Sequence, residues 1–154
     1  MKHQVVLALC IAAVAATASA EMKPEDKITF RQSGYTFMRW NMGMIKNQVV
    51  DNPQAYNKEK VIAAANVIAA TANSGIETLF TPDTEKGKGW KDTRVKPEFF
   101  KQPDDVKKRA LDFHREADAM VKVAATGDVD QIKSQFDKLQ KACKSCHDDF
   151  RAKE

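Results

Sequence analysis

Four apolar stripes with helical spacing, and no segment of strand-period alternation, limit what this chain can fold into. The first runs through Ile28, Arg31, Tyr35, Met38, Met42, Ile45 and Val49, with side chains recurring every three or four residues as one helix face requires. The second is Val61, Ile62, Ala65, Ile68, Ala69 and Ala72, and the third Val106, Ala110, Phe113, Ala117, Met120 and Ala124. The fourth is Ile132, Phe136, Leu139, Cys143, then Cys146 or His147, and Phe150. End signals bracket each stripe: Pro24 opens the first and Asn52-Pro53 stops it. Asn57 reads as an N-cap and Gly75 as a stop, Gly127 closes the third, and Asp128 with Gln131 makes a capping-box-like start for the fourth. A helix with one apolar face buries it only against a neighbour, so the expected fold is all-α, a four-helix bundle. Short links make the first pair and the last pair antiparallel. The link between helices two and three, roughly residues 76–102, is long. Its Leu79, Phe80, Trp90, Phe99 and Phe100 predict that it packs onto the bundle rather than hanging free.

The first twenty residues belong to a different category. Lys2 and His3 precede an apolar run from Val5 to Ala16, and Ala18-Ser19-Ala20 has the small-x-small form of a signal-peptidase site. Residues 1–20 therefore read as a signal peptide cleaved after Ala20, and 21–154 as a single exported domain. The run is too short to span a bilayer, which argues against a membrane anchor. Leu9 is too bulky for the lipoprotein reading through Cys10. Cleavage takes Cys10 away and leaves Cys143 and Cys146, too close together for a disulfide framework. The formal charge of +4 loses Lys2 and falls to +3. A nucleic-acid partner would want a clustered basic face, and none is suggested.

Cys143, Cys146 and His147 spell C-x-x-C-H in the last helix, the spacing of covalent haem attachment. Helical geometry puts all three on one face within about one turn, so two thiols can meet two vinyl groups while the histidine reaches the iron. One covalent haem c per chain is expected, with His147 as metal ligand. A structural zinc site wants four ligands, and the mature chain offers only His114 as a distant fourth. A thiol redox pair prefers a helix N-terminus, and this pair lies deep in its helix. Little chain follows His147, so a second axial ligand would have to come from elsewhere, Met38 or Met42 being candidates.

Here a resemblance becomes specific. The segments "RQSGYTFMRWNMG", "AAANVIAATANSG", "KPEFF" and "CKSCHDDFR" resemble cytochrome c prime, bacterial haem proteins that are usually five-coordinate and high-spin. The likeness covers essentially the whole mature chain; "TPDTEKGKGWKD" in the loop is its most variable stretch. It implies an up-down-up-down bundle, a periplasmic location, and His147 as the sole protein ligand. It further implies Tyr35 as the residue covering the other side of the iron, Arg31 and Gln32 at the haem edge, and Thr84 and Glu85 as loop contacts. Arg151 matches the basic residue placed beside the proximal imidazole. The residues themselves leave alternatives open. Arg31 interrupts an apolar stripe, where a charge needs a partner; a haem propionate would serve, or the side chain snorkels to solvent. Arg151 is equally an ordinary charge near a C-terminus. Low-spin relatives of the family use a first-helix methionine, so a six-coordinate electron carrier is the alternative.

A second apolar line on the first helix, Phe30, Phe37, Trp40 and Met44, lies almost opposite the first. Aromatics in such a line mark an interface, and the family commonly dimerises through this helix, so a homodimer is expected; a loop over the line is the alternative. Three function classes follow: binding of diatomic gases (nitric oxide, carbon monoxide), electron transfer with an unidentified redox partner, and an enzyme such as a peroxidase. The last wants a distal acid–base group. His114, the only other mature histidine, reads as a surface residue beside Phe113, so no enzyme activity is expected. Phe80 reads as core filling or as packing on the distal haem face.

Overall fold

The structure, a computed structural model, describes residues 21–153; the signal-peptide reading of 1–20 lies outside these. The described residues form five helices and no strand, and none of the helices is long and apolar enough to cross a membrane. Helix α1 spans Pro24–Lys46 and α2 Lys58–Ala72, followed by a short α3, Glu98–Lys101, and the long α4, Pro103–Thr126, and α5, Val129–Phe150. The bundle consists of α1, α2, α4 and α5, with α1 against α2, α2 against α4 and α4 against α5 in extensive contact. The remaining seam, α1 against α5, is far more sparsely packed. Ile45, Ile68, Met120, Ile132 and Leu139 are fully buried at the centre, each such side chain contributing about 1.5–3 kcal/mol over its exposed state.

Local chemistry explains the ends. Pro24 occupies the first turn of α1, with Glu25 and Asp26 beside it where negative charge favours the helix dipole. Past Lys46 the helix continues as a π-helical turn, Asn47–Asp51. The buried Gln48 Oε1 accepts from the Asn57 backbone N–H at 2.7 Å, while Asn57 Oδ1 caps α2 by accepting from Lys60 N–H at 2.9 Å. One residue thereby sets both the α1–α2 turn and the start of α2. Gly127, at φ +80°, ends α4 in the left-handed region that favours glycine. Asp128 then accepts from the Gln131 N–H at 3.0 Å. The Gln131 amide donates to the Asp128 carboxylate at 2.7 Å instead of reaching back to the backbone, so the capping box is only half formed.

The long middle link is structured, with 3₁₀ turns at Ile76–Leu79 and Pro82–Thr84 before α3. Ile76 enters the core because Gly34 of α1 has no side chain: a Cβ there would lie 2.5 Å from Ile76 Cδ1. Phe80 stacks on Phe99 at 4.5 Å between ring centroids, and Phe99 meets Phe100 and the buried Phe150 of α5 edge-on. Trp90 departs from the expectation and is 56 % exposed. Backbone hydrogen bonds, not burial of the indole, hold its segment in place.

Candidate functional site

The sparse α1–α5 seam is flanked by the residues singled out from the sequence. On the α5 side, Cys143 and Cys146 are half-buried and not joined in a disulfide. Burial, and secondarily the neighbouring Cys146, push the Cys143 thiol up to about 11. Burial also raises Cys146, opposed in part by the Arg109 guanidinium and reinforced by Asp149. His147, one residue on, is exposed. Desolvation lowers its pKa, with Asp148 opposing and the Arg94 charge reinforcing, which favours the neutral imidazole that metals bind. No group of three His, Cys, Asp or Glu able to hold a metal ion occurs among the described residues.

From α1, Tyr35 lies within electrostatic reach of these thiols. The residue is 39 % exposed, yet its hydroxyl is held well above the usual tyrosine range, by desolvation first and then by Cys146, Glu77 and Cys143. Its ring meets Phe80 edge-on at 6.2 Å. Through Phe80 and Phe99 an aromatic chain continues to Phe150, crossing from α1 to α5 by way of the loop. Met38 is buried in the core cluster, and Met42 is half-buried and packed against it.

Arg31 is 3 % exposed and serves as a tether for the loop. Nη1 donates to the Leu79 carbonyl at 3.2 Å and to Thr84 Oγ1 at 2.6 Å; Nη2 donates to the Thr84 carbonyl at 3.0 Å and to Thr93 Oγ1 at 2.6 Å. The guanidinium also lies 4.4 Å from the Phe80 ring centroid. All four oxygens are neutral, so a buried cation is hydrogen-bonded without a carboxylate to offset its charge. Fully buried Thr84 passes the chain on by donating to the Thr81 carbonyl at 2.8 Å. Gln32 is engaged in the same way: Nε2 donates to the Lys91 carbonyl and Oε1 accepts from Trp90 N–H, each at 3.0 Å. Glu85 is half-buried next to Thr84, and Arg151 is exposed. Arg151 donates its backbone N–H to the His147 carbonyl at 3.1 Å and pairs with Val95 in an isolated bridge.

The structure therefore brings together Cys143, Cys146 and Tyr35 across one seam, and Arg31, Gln32 and Thr84 in one loop-holding network. Thr93 and Arg109 join these groups from outside any sequence motif. Thr93 is 62 residues from Arg31 along the chain and carries no local signal. Arg109 reaches the thiol region only because α4 packs on α5; there it pairs with Asp149 and lies 5.8 Å from the Phe150 ring centroid. His114 is half-buried on α4 beside Phe113.

These residues fit a covalently bound haem. Two thiols one turn apart border a loosely packed seam, a neutral-leaning histidine follows them, and a buried cation lies near the opposite wall with only neutral partners. The comparisons agree. The family model for cytochrome c′ matches residues 26–151. A cytochrome c′ from Rhodocyclus tenuis is 52% identical over 132 residues, 86% of this chain and 98% of that protein. A crystallographic cytochrome c′ described as having ligand-controlled dimer dissociation is 49% identical, with a TM-score of 0.82 over 87% of this chain and all of that one. A nitric oxide complex of a cytochrome c′ variant from Alcaligenes xylosoxidans is 27% identical, with a TM-score of 0.74 over 85% of this chain and 98% of that one. The chain belongs to the cytochrome c′ family, a family of four-helix-bundle proteins that carry a covalently attached haem c.

Proposed function

We propose that this is a periplasmic cytochrome that binds small gases, nitric oxide and carbon monoxide, at a crowded site and exchanges electrons, without being an enzyme. Cys143 and Cys146 hold the haem by thioether bonds, and His147 is its only protein axial ligand. The haem supplies, when bound, a one-electron couple and an open coordination position. The chain's own residues decide what can use that position. The observation that carries this reading is the identity of the α1 residue near the thiols. It is Tyr35, electrostatically close to Cys146 and Cys143, whereas Met38 is committed to the core.

A tyrosine with a strongly raised pKa is neutral and a poor ligand, and its ring limits what can enter. Arg31, with Thr84 fixing its direction, offers a buried positive charge suited to a propionate; Gln32, Glu85 and Arg151 complete the surrounding polar set. The six-coordinate alternative would need Met38 or Met42 to leave its packing. Likeness to a cytochrome c′ solved with nitric oxide supports the gas-binding part. The exposed, stacked Phe37–Trp40 pair, at 5.7 Å between centroids, supports a homodimer through α1. The test is the visible spectrum of the purified protein, in the ferric state and in the ferrous state with and without nitric oxide. A high-spin ferrous spectrum converting on nitric oxide addition is expected. A methionine-to-iron charge-transfer band in the ferric spectrum that disappears in Met38→Ala or Met42→Ala would put the six-coordinate carrier in its place.

A further inference from the structure

We infer that residues 86–96 form a docking surface for an acidic electron-transfer protein. The inference rests on the electron-carrying part of the reading above and adds to it a partner chemistry and a place. Lys86, Lys88, Lys91, Arg94 and Lys96 stand in this segment against the single carboxylate of Asp92. That excess is larger than the net +3 of residues 21–154, so the rest of the mature chain is slightly acidic.

The segment is built and held. Gln32 bonds both the Trp90 N–H and the Lys91 carbonyl. Gly89 comes so close to α1 that a Cβ would meet Gln32 Oε1 at 2.7 Å and the Thr29 backbone nitrogen at 2.9 Å. Within the segment, Thr93 N–H donates to the Gly87 carbonyl at 2.9 Å. Its outer surface is a depression of about 450 Å³ lined by Lys88, Trp90, Lys91, Asp92 and Arg94, with the exposed indole among the charges.

The far end of the segment is strapped to the C-x-x-C-H helix. Lys96 N–H donates to the Phe150 carbonyl at 2.9 Å, Ala152 N–H to the Arg94 carbonyl at 2.8 Å, and Lys96 Nζ to the Asp148 carbonyl at 3.0 Å. A cationic surface with an aromatic anchor thus abuts the end of α5 that carries Cys146 and His147. The cations are spread along the strip, and Trp90 adds apolar area among them. That pattern suits a rim of carboxylates on a protein better than one small anion. An anionic lipid surface is the other reader of Lys and Trp; the position beside His147 favours the protein.

The test uses the haem-loaded protein and an acidic flavodoxin as probe. In isotope-labelled protein titrated at low salt, resonance changes are expected to concentrate in residues 86–96 and 151–153 and to fade as salt is added. In stopped-flow measurements the Lys88→Glu/Lys91→Glu double variant should lose about tenfold or more in bimolecular electron-transfer rate at low ionic strength, with an unchanged midpoint potential. A Lys58→Glu/Lys60→Glu control, at the start of α2 near Gly127, should keep its rate. Trp90→Ala should slow the reaction at high salt as well. Changes centred elsewhere, or a double reversal no slower than the control, overturn the proposal. So does a surface that holds phosphatidylglycerol vesicles through Lys88 and Lys91 while flavodoxin ignores it. Resonance changes in 86–96 without any electron transfer leave the surface standing and remove the electron-carrier reading instead.

Discussion

A single cysteine carries a disproportionate share of the chemistry. Acid–acetone does not cleave thioethers, so it should free no haem from the wild-type protein, and release of its haem would contradict the attachment; Cys143→Ala leaves at most one thioether and should lower or abolish the yield of haem-loaded protein. Tyr35 acts through bulk: its ring rests against Phe80 and its hydroxyl is too strongly raised in pKa to ionise at neutral pH. Tyr35→Ala should therefore speed carbon monoxide association and tighten binding, because no ring has to move. Flash photolysis checks this, and an unchanged rate would move the gate to Phe80 or Met38. Arg31 shows how a residue can be read correctly as special and still surprise. Its position on an apolar stripe demanded a partner, and the structure supplies four neutral oxygens from Leu79, Thr84 and Thr93.

At the scale of elements, the seam between α4 and α5 contains a pH-sensitive contact. Buried Gln135 donates through Nε2 to both the backbone carbonyl and the carboxylate of Glu116, at 3.1 and 2.8 Å. That bond first, and Arg115 next, hold the Glu116 carboxyl below its usual range. A carboxyl with a folded pKa below its unfolded value stabilises the fold fully above the unfolded value, and that contribution is lost as pH falls through the folded one. Gln135→Met should thus lower the urea midpoint at pH 7, and its deficit relative to the wild type should narrow as pH drops below about 4.3. A deficit constant from pH 7 to pH 3 would show that Glu116 is not the group involved.

At the scale of the whole molecule, the proposed homodimer would couple two faces of α1. Phe37 and Trp40 are 51 % and 58 % exposed on one side, while Tyr35, two residues before Phe37, lies within electrostatic reach of the thiols. A stiff helix cannot fully hide a ligand-driven displacement of Tyr35 from packing on its other face. Ligand binding is expected to weaken the dimer, and linkage then requires the monomer to bind ligand more tightly by the same factor, a coupling of about 1–3 kcal/mol. Trp40→Ala should shift the protein toward monomer and raise its carbon monoxide affinity together. Sedimentation of the ferrous protein with and without carbon monoxide measures the effect; equal dimer dissociation constants would mean that the loops absorb the motion.

Periodicity and punctuation by themselves determined the four bundle helices, most of their ends and the position of the C-x-x-C-H triplet. These depend on interactions within one turn of the chain: helical spacing, Asn57 and Asp128 as caps, Gly127 as a stop. Tertiary structure decided what joins residues far apart. The 62-residue gap between Arg31 and Thr93, the strap from Arg94 and Lys96 onto α5, and the exposure of Trp90 have no local signature. Each follows from where the long link is tied down, by Gln32, by the close approach of Gly89 and by the Phe80–Phe99–Phe150 stack. Contacts that close long loops are selected by the packing of the finished bundle, and the sequence near either partner does not reveal them.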